Sequence, residues 1–214
     1  MAVKAKICGI RRGSDAEHAV RAGADFLGVV LDAGPRQATS DELRSVVDAA
    51  GSTPVMAVVV AMGVEDVLRL RDRTGFRGVQ LHGGQDSADA WRYADAGLIV
   101  WRTARLSADS DTGGIGKLAE HADAVLVEPS VPHVSGGAGI PLALDLAAGV
   151  RRQLGLLRMV LAGGLTPQTV ARAATLVRPY AVDVSSGVER APGVKDPDRV
   201  TRFLEALRDI NSGE

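Results

Sequence analysis

FLGVVL at positions 26–31 and VMAVVV at 55–60 are short, apolar, β-branched runs without polar alternation. A strand with one face in water alternates apolar and polar residues, so a strand apolar on both faces is one covered on both, as in a parallel sheet flanked by helices. Six further runs of the same kind extend the pattern along the chain, so that strands are expected at 3–8, 25–31, 55–60, 78–81, 98–102, 124–128, 159–162 and 181–185. Helical stretches lie between most of them, with legible starts. Thr39 to Glu42 fits a capping box, and Thr166-Pro167 and Asp196-Pro197 place a capping side chain before a proline at the first helical position. Unit five is the exception, because Gly113-Gly114 interrupts it and leaves room for only a short helix. Eight βα units of about 27 residues each predict a compact (β/α)8 TIM barrel, a single domain over residues 1–214. An open doubly wound sheet is the other architecture the alternation allows, but no G-x-G-x-x-G follows the first strand and eight units favour closure.

Composition narrows the classes of function. With 25 basic and 26 acidic residues the net charge is −1, so no global field draws in nucleic acid or an anionic membrane, and an anionic ligand must be held locally. No 18-residue apolar run and no export signal is present, so a cytoplasmic protein without membrane contact is expected. The single cysteine, Cys8, excludes an internal disulfide and a cysteine-based zinc cluster. No metal is expected, since His82 has no second histidine at ligand spacing.

In parallel barrels the reactive residues sit at the carboxyl ends of the strands. There the chain carries Cys8, Arg36, Gln80 and His82, Arg102, Glu128, Gly163-Gly164, and Asp183 with Ser185-Ser186-Gly187. The glycine-containing turns LAGGLTP and VSSGVE after strands seven and eight allow backbone N–H groups close to an anion, for which phosphate is the natural occupant. A glycine pair by itself equally makes a plain tight turn; two adjacent polar turns shift the balance. Cys8 is read either as a small buried hydrophobe or as a thiolate base needing nearby positive charge. Arg36 is read as a surface arginine or as a fork for a carboxylate, and Glu128, followed by Pro129, faces substrate or solvent.

In order along the chain, KICGI (6–10), AGADFLGVV (22–30), GPR (34–36), GVQLHG (78–83), GGAG (136–139), LAGGLTP (161–167), and VDVSSGVE with PGVKD (182–196) together resemble phosphoribosylanthranilate isomerase, the tryptophan-pathway barrel, over nearly the whole chain. The resemblance implies a cofactor-independent Amadori rearrangement of N-(5-phosphoribosyl)anthranilate. It assigns Cys8 as base and Glu128 as acid. Arg36, Gln80, His82 and Asp183 fall to substrate binding, with Arg36 on the anthranilate carboxylate, and Gly163, Gly164, Ser186 and Gly187 fall to the phosphate. The expected partner is a small phosphorylated sugar, and the expected assembly a monomer or homodimer.

Three departures from the family pattern cluster at the barrel mouth. Glu128 stands where the family has an aspartate. Ile140 to Leu144 replace a stretch with an aspartate between two aromatics, and Asp145 comes two places late. Asp32-Ala33-Gly34 replaces a basic segment and adds a negative charge. These changes keep two alternatives in view: a paralogue acting on a related phosphorylated aminosugar, and a noncatalytic phosphosugar-binding barrel.

Overall fold

The structure, a computed structural model, describes residues 2–32, 34–130 and 141–213. Eight parallel strands close into a barrel in sequence order: β1 (Lys4–Ile7), β2 (Phe26–Val30), β3 (Val55–Val59), β4 (Gly78–Leu81), β5 (Ile99–Leu106), β6 (Ala124–Pro129), β7 (Met159–Leu161) and β8 (Ala181–Val184). Closure is made by β8 pairing with β1, in the register Lys4 to Ala181, Lys6 to Asp183 and Ile7 to Val184. All eight strands expected from the sequence are present. β5 runs four residues beyond its expected end at 102, paired with β6 as far as Leu106 and Pro129.

Helices α1 (Gly13–Ala22), α2 (Ser40–Ala50), α3 (Val64–Thr74), α4 (Ser87–Asp95), α5 (Leu144–Leu154), α6 (Val170–Val177) and α7 (Pro197–Ser212) lie outside the sheet. Unit five has only a 3-10 turn, Ile115–Ala119, as the Gly113-Gly114 interruption predicts. Thr39 and Glu42 form the capping box at α2, and Asp196 caps α7 with Pro197 in its first turn. Thr166-Pro167 does not start α6. A turn closed by Thr169 and Val170 N–H groups on the Thr166 carbonyl comes first, and the helix begins at Val170. An antiparallel hairpin, β9 (Glu189–Ala191) with β10 (Val194–Lys195), follows β8 and has no strand signal, being two and three residues long. The GGAG stretch at 136–139 and Ile140 lie outside the described residues.

Side-chain alternation divides the core in two. Outward residues such as Ile7, Leu27, Val29, Ala57, Val79, Val125, Leu161 and Val182 pack beneath the helices. Inward residues Phe26, Met56, Trp101, Ala124, Leu126, Val160 and Ala181 fill the barrel, where Phe26 meets the Trp101 ring edge-on at 4.9 Å. Gly78 leaves the space that the Met56 thioether occupies; a Cβ there would overlap it. This plug closes the interior below the strand ends, with Lys4 stacked on Phe26 and Tyr180 beneath it and the buried polar side chains of the strand ends above. Trp101→Ala should therefore cost about 3–5 kcal/mol in chemical denaturation, against less than about 0.5 for the half-exposed Trp91→Ala. Equal losses would mean that the plug does not hold the barrel.

Candidate active site

Alternation decides which strand-end residues can meet. With Ile7, Val79, Val127 and Val184 facing the helices, Lys6, Cys8, Gln80, His82, Glu128, Asp183 and Ser185 face the barrel axis. Arg102 has the other parity. It points outward and donates to Ser87 Oγ and the Gln85 carbonyl.

The Cys8 side is organised by Lys6, a residue of the KICGI motif that carried no separate expectation. Its ammonium is fully buried and donates to Asp183 Oδ1 and to Gln80 Oε1, each at 2.8 Å, with the Trp101 ring 5.7 Å away. Gly28 gives the position of the sulfur. A Cβ there would lie 2.7 Å from Cys8 Sγ and 2.9 Å from Lys6 Nζ, so the thiol and the ammonium crowd the same point, and only glycine leaves room for both. Burial pushes the Cys8 thiol above its ordinary value and Asp183 adds to the rise, while Lys6 and, more weakly, Lys195 pull it down. Burial opposes the charge on Lys6, but Asp183 and the sulfur outweigh it and hold Lys6 protonated. A cation thus stands beside the thiol, as a usable thiolate requires. The available sequence signal was a lysine inside an apolar strand, two residues before the cysteine and hence on the same face.

Across the mouth Glu128 is buried. Its Oε1 is 3.2 Å from His82 Nε2 and 3.1 Å from Arg105 Nε, which donates to it, while Arg105 Nη2 holds the His82 carbonyl. Burial raises the Glu128 carboxyl, but His82 and Arg105 outweigh it and hold the group below the ordinary carboxylate value. Arg105 lies on the part of β5 beyond its expected end, so the sequence reading did not include it. Asp32 is not free negative charge at the mouth. Its carboxylate accepts from the backbone N–H groups of Val60, Ala61 and Met62 and fastens the loop after β3.

Arg36 arches over Gly9, whose added Cβ would lie 2.6 Å from its Cδ. It binds Glu189 in a fork, Nε to Oε1 at 2.9 Å and Nη2 to Oε2 at 2.7 Å. Lys195 Nζ donates to the same carboxylate at 2.7 Å, so the hairpin ties loop two to the end of β8 and leaves Arg36 Nη1 outside the fork. Burial raises Glu189, yet Arg36 and Lys195 prevail and hold it below its ordinary range; Lys195 itself is lowered by burial. At the two glycine turns, Gly163 and Gly164 have φ of 99° and 61°. Gly187 sits so close to the Leu165 carbonyl that a side chain there would overlap it. No protein carbonyl among the described residues accepts from the N–H groups of Gly163, Gly164, Ser186 or Gly187, which leaves four backbone donors for an anion. Ser185 Oγ, buried between Gly9 and this end of β8, likewise lacks a partner among the described residues.

A thiol beside a lysine, a carboxylate across the mouth and paired donor-rich turns on a closed parallel barrel define the class: acid–base enzymes acting on phosphorylated small molecules. The family model for N-(5'phosphoribosyl)anthranilate (PRA) isomerase matches residues 5–206. The N-(5'-phosphoribosyl)anthranilate isomerase of Methanopyrus kandleri is 36% identical over 97% of this chain and 100% of its own. The crystal structure of the Thermus thermophilus phosphoribosyl anthranilate isomerase superposes with a TM-score of 0.85 at 30% identity, covering 97% and 100% of the two chains. A further phosphoribosyl anthranilate isomerase structure, in complex with reduced 1-(o-carboxyphenylamino)-1-deoxyribulose 5-phosphate, gives 0.83 at 28% identity over 96% and 98%. This chain belongs to the N-(5'-phosphoribosyl)anthranilate isomerase family.

Two measurements check the electrostatics without reference to turnover. Lys6→Met removes the cation that lowers the Cys8 thiol, so alkylation by iodoacetamide at pH 8 should slow at least about tenfold, the effect of one unit on the thiolate fraction. An unchanged rate would dissociate Lys6 from the sulfur. Glu189, depressed in the folded state, contributes stability that is present above the ordinary carboxylate range and lost as pH falls through its folded value. The stability gap between wild type and Glu189→Gln should accordingly be widest near pH 7 and close well below pH 4.5, as the wild-type carboxylate protonates.

Proposed function

We propose that this chain converts N-(5-phosphoribosyl)anthranilate to 1-(2-carboxyphenylamino)-1-deoxyribulose 5-phosphate, the isomerisation that its family performs in tryptophan biosynthesis. The observation that carries the reading is the inward placement of Cys8 and Glu128 at the same end of one barrel, from β1 and β6, with the donor-rich turns of β7 and β8 between them in the strand order. Protonation of the ribose ring oxygen from the Glu128 side breaks the C1–O bond and leaves a Schiff base. The Cys8 thiolate then takes the C2 proton, the electron pair moves toward nitrogen, and the resulting enaminol tautomerises to the ketone. C1 is reduced as C2 is oxidised, so no external electron carrier enters.

In this reading Gly163, Gly164, Ser186 and Gly187 hold the phosphate, and Arg199 and Arg202 of α7 add positive charge to the outer side of the two turns. The family relative with reduced product bound supports that class of ligand. Arg36, its fork fixed on Glu189, presents its remaining N–H groups to the anthranilate carboxylate. Asp183 and His82 complete the substrate contacts. No helix among the described residues is long and apolar enough to cross a membrane, and the reading places the enzyme in the cytoplasm. The substitution of glutamate for the family aspartate at position 128 favours a second reading, a related arylamine phosphoriboside as substrate.

The protonation states set the pH profile. The base is needed as the minority thiolate, because Cys8 is raised, and the acid as the minority carboxylic acid, because Glu128 is lowered. Between the two values the first fraction rises tenfold per pH unit while the second falls tenfold, so their product is constant. With phosphoribosylanthranilate, kcat/KM should be flat from about pH 5 to pH 8.5, inside the ordinary values of 4.5 and 9.0 beyond which the two groups are displaced. Cys8→Ala should lower kcat by at least about a hundredfold, the low end for loss of a general base. Full activity in that variant would reject the assignment of the base, and failure of the wild type to turn over phosphoribosylanthranilate would favour the second substrate.

A further inference from the structure

Gln80 was expected to touch substrate, but it is buried and both ends of its amide are engaged within the barrel. An ammonium group only donates, so the atom 2.8 Å from Lys6 Nζ must be the amide oxygen, and this fixes the orientation of the Gln80 amide without ambiguity. The NH2 group is then turned toward His82 Nδ1, 3.2 Å away. A proton on Nδ1 would face that NH2 donor to donor, whereas a lone pair accepts from it. Thr103 Oγ1, 3.4 Å from the same nitrogen, can donate to it as well. The proton of a neutral ring is therefore displaced to Nε2.

Nε2 is buried and has no aligned hydrogen-bond partner among the described residues. Glu128 Oε1 is 3.2 Å from it, but off the line of the N–H bond. A desolvated, unspent N–H at the mouth, beside the carboxylate, is what a substrate oxygen can use. We propose that Gln80 is a positioning residue that locks His82 as the neutral Nε2–H tautomer, so that this N–H is presented to the sugar oxygen that Glu128 addresses. It rests on the reading of the Glu128 side as the place where the ribose ring oxygen lies. The donor matters because charge builds on that oxygen as the C1–O bond breaks, before the proton from Glu128 has fully arrived. A neutral imidazole can stabilise the charge by hydrogen bonding without itself becoming an anion.

The tautomer is a property of the substrate-free protein, so it can be read independently of turnover. Imidazole 15N shifts at pH 8, assigned by loss of the signals in His82→Asn, should give the Nε2–H form. Gln80→Glu keeps an acceptor for Lys6 and turns a second one toward His82, so it should convert the ring to Nδ1–H. With that conversion kcat for phosphoribosylanthranilate should fall on the order of a hundredfold, the usual effect of removing one preorganised donor from a developing oxyanion. A wild-type ring in the Nδ1–H form overturns the proposal with no variant needed. So does an Nε2–H ring that survives Gln80→Glu, and so does a converted ring with kcat unchanged. Absence of any wild-type turnover, with the tautomers as expected, would count against the proposed reaction and leave the positioning role standing.

Discussion

The polar half of this barrel depends on one buried ammonium. Lys6 reaches the axis from the first strand, has no exposed surface, and must satisfy its donors inside the protein. Asp183 supplies the counter-charge from the neighbouring strand β8, and Gln80 supplies an acceptor from β4. Removing one member of such a pair leaves an uncompensated buried charge, which costs about 3–5 kcal/mol, so the geometry around it is held tightly. Because a lysine only donates, it also fixes the polarity of what it touches. Asp183 must turn an oxygen toward it, the glutamine must turn its oxygen inward, and the glutamine NH2 then faces the histidine beyond. One charge thus orders a chain of groups from Cys8 to Glu128.

That arrangement explains why the fold was legible in the sequence while the site was legible only in part. Apolar runs such as 26–31 and 55–60 report two-sided burial directly, since strand parity and helix covering are properties of neighbouring residues. The glycine turns were visible for the same reason. Pairings such as Lys6 with Asp183, 177 residues apart, or Arg36 with Glu189, 153 apart, exist only after closure and leave no local mark. Gln80 shows the consequence. Its place at a strand end pointed to substrate, and its contacts turned out to be with two side chains from other positions on the axis. Arg105 was invisible for another reason: β5 continues past the point where its apolar run stops, carried by pairing with β6 rather than by its own composition.

Glu128, where the resemblance leads one to expect an aspartate, acquires a physical meaning from its neighbours. Its side chain on β6 holds the carboxylate within hydrogen-bond distance of Arg105, two strand residues beyond Thr103, and beside His82. Both interactions favour ionisation, which is the wrong state for an acid. A site that relied on this carboxyl alone would work with a small protonated fraction. In the proposed reading a neutral imidazole N–H next to it offsets part of that cost by stabilising the oxygen as the proton is transferred. In that reading the Glu128 side therefore divides between a proton carrier and a hydrogen-bond donor. On the Cys8 side the same reading gives the proton to Cys8 and the charge to Lys6. The two halves join through Gln80, whose amide touches both Lys6 and His82.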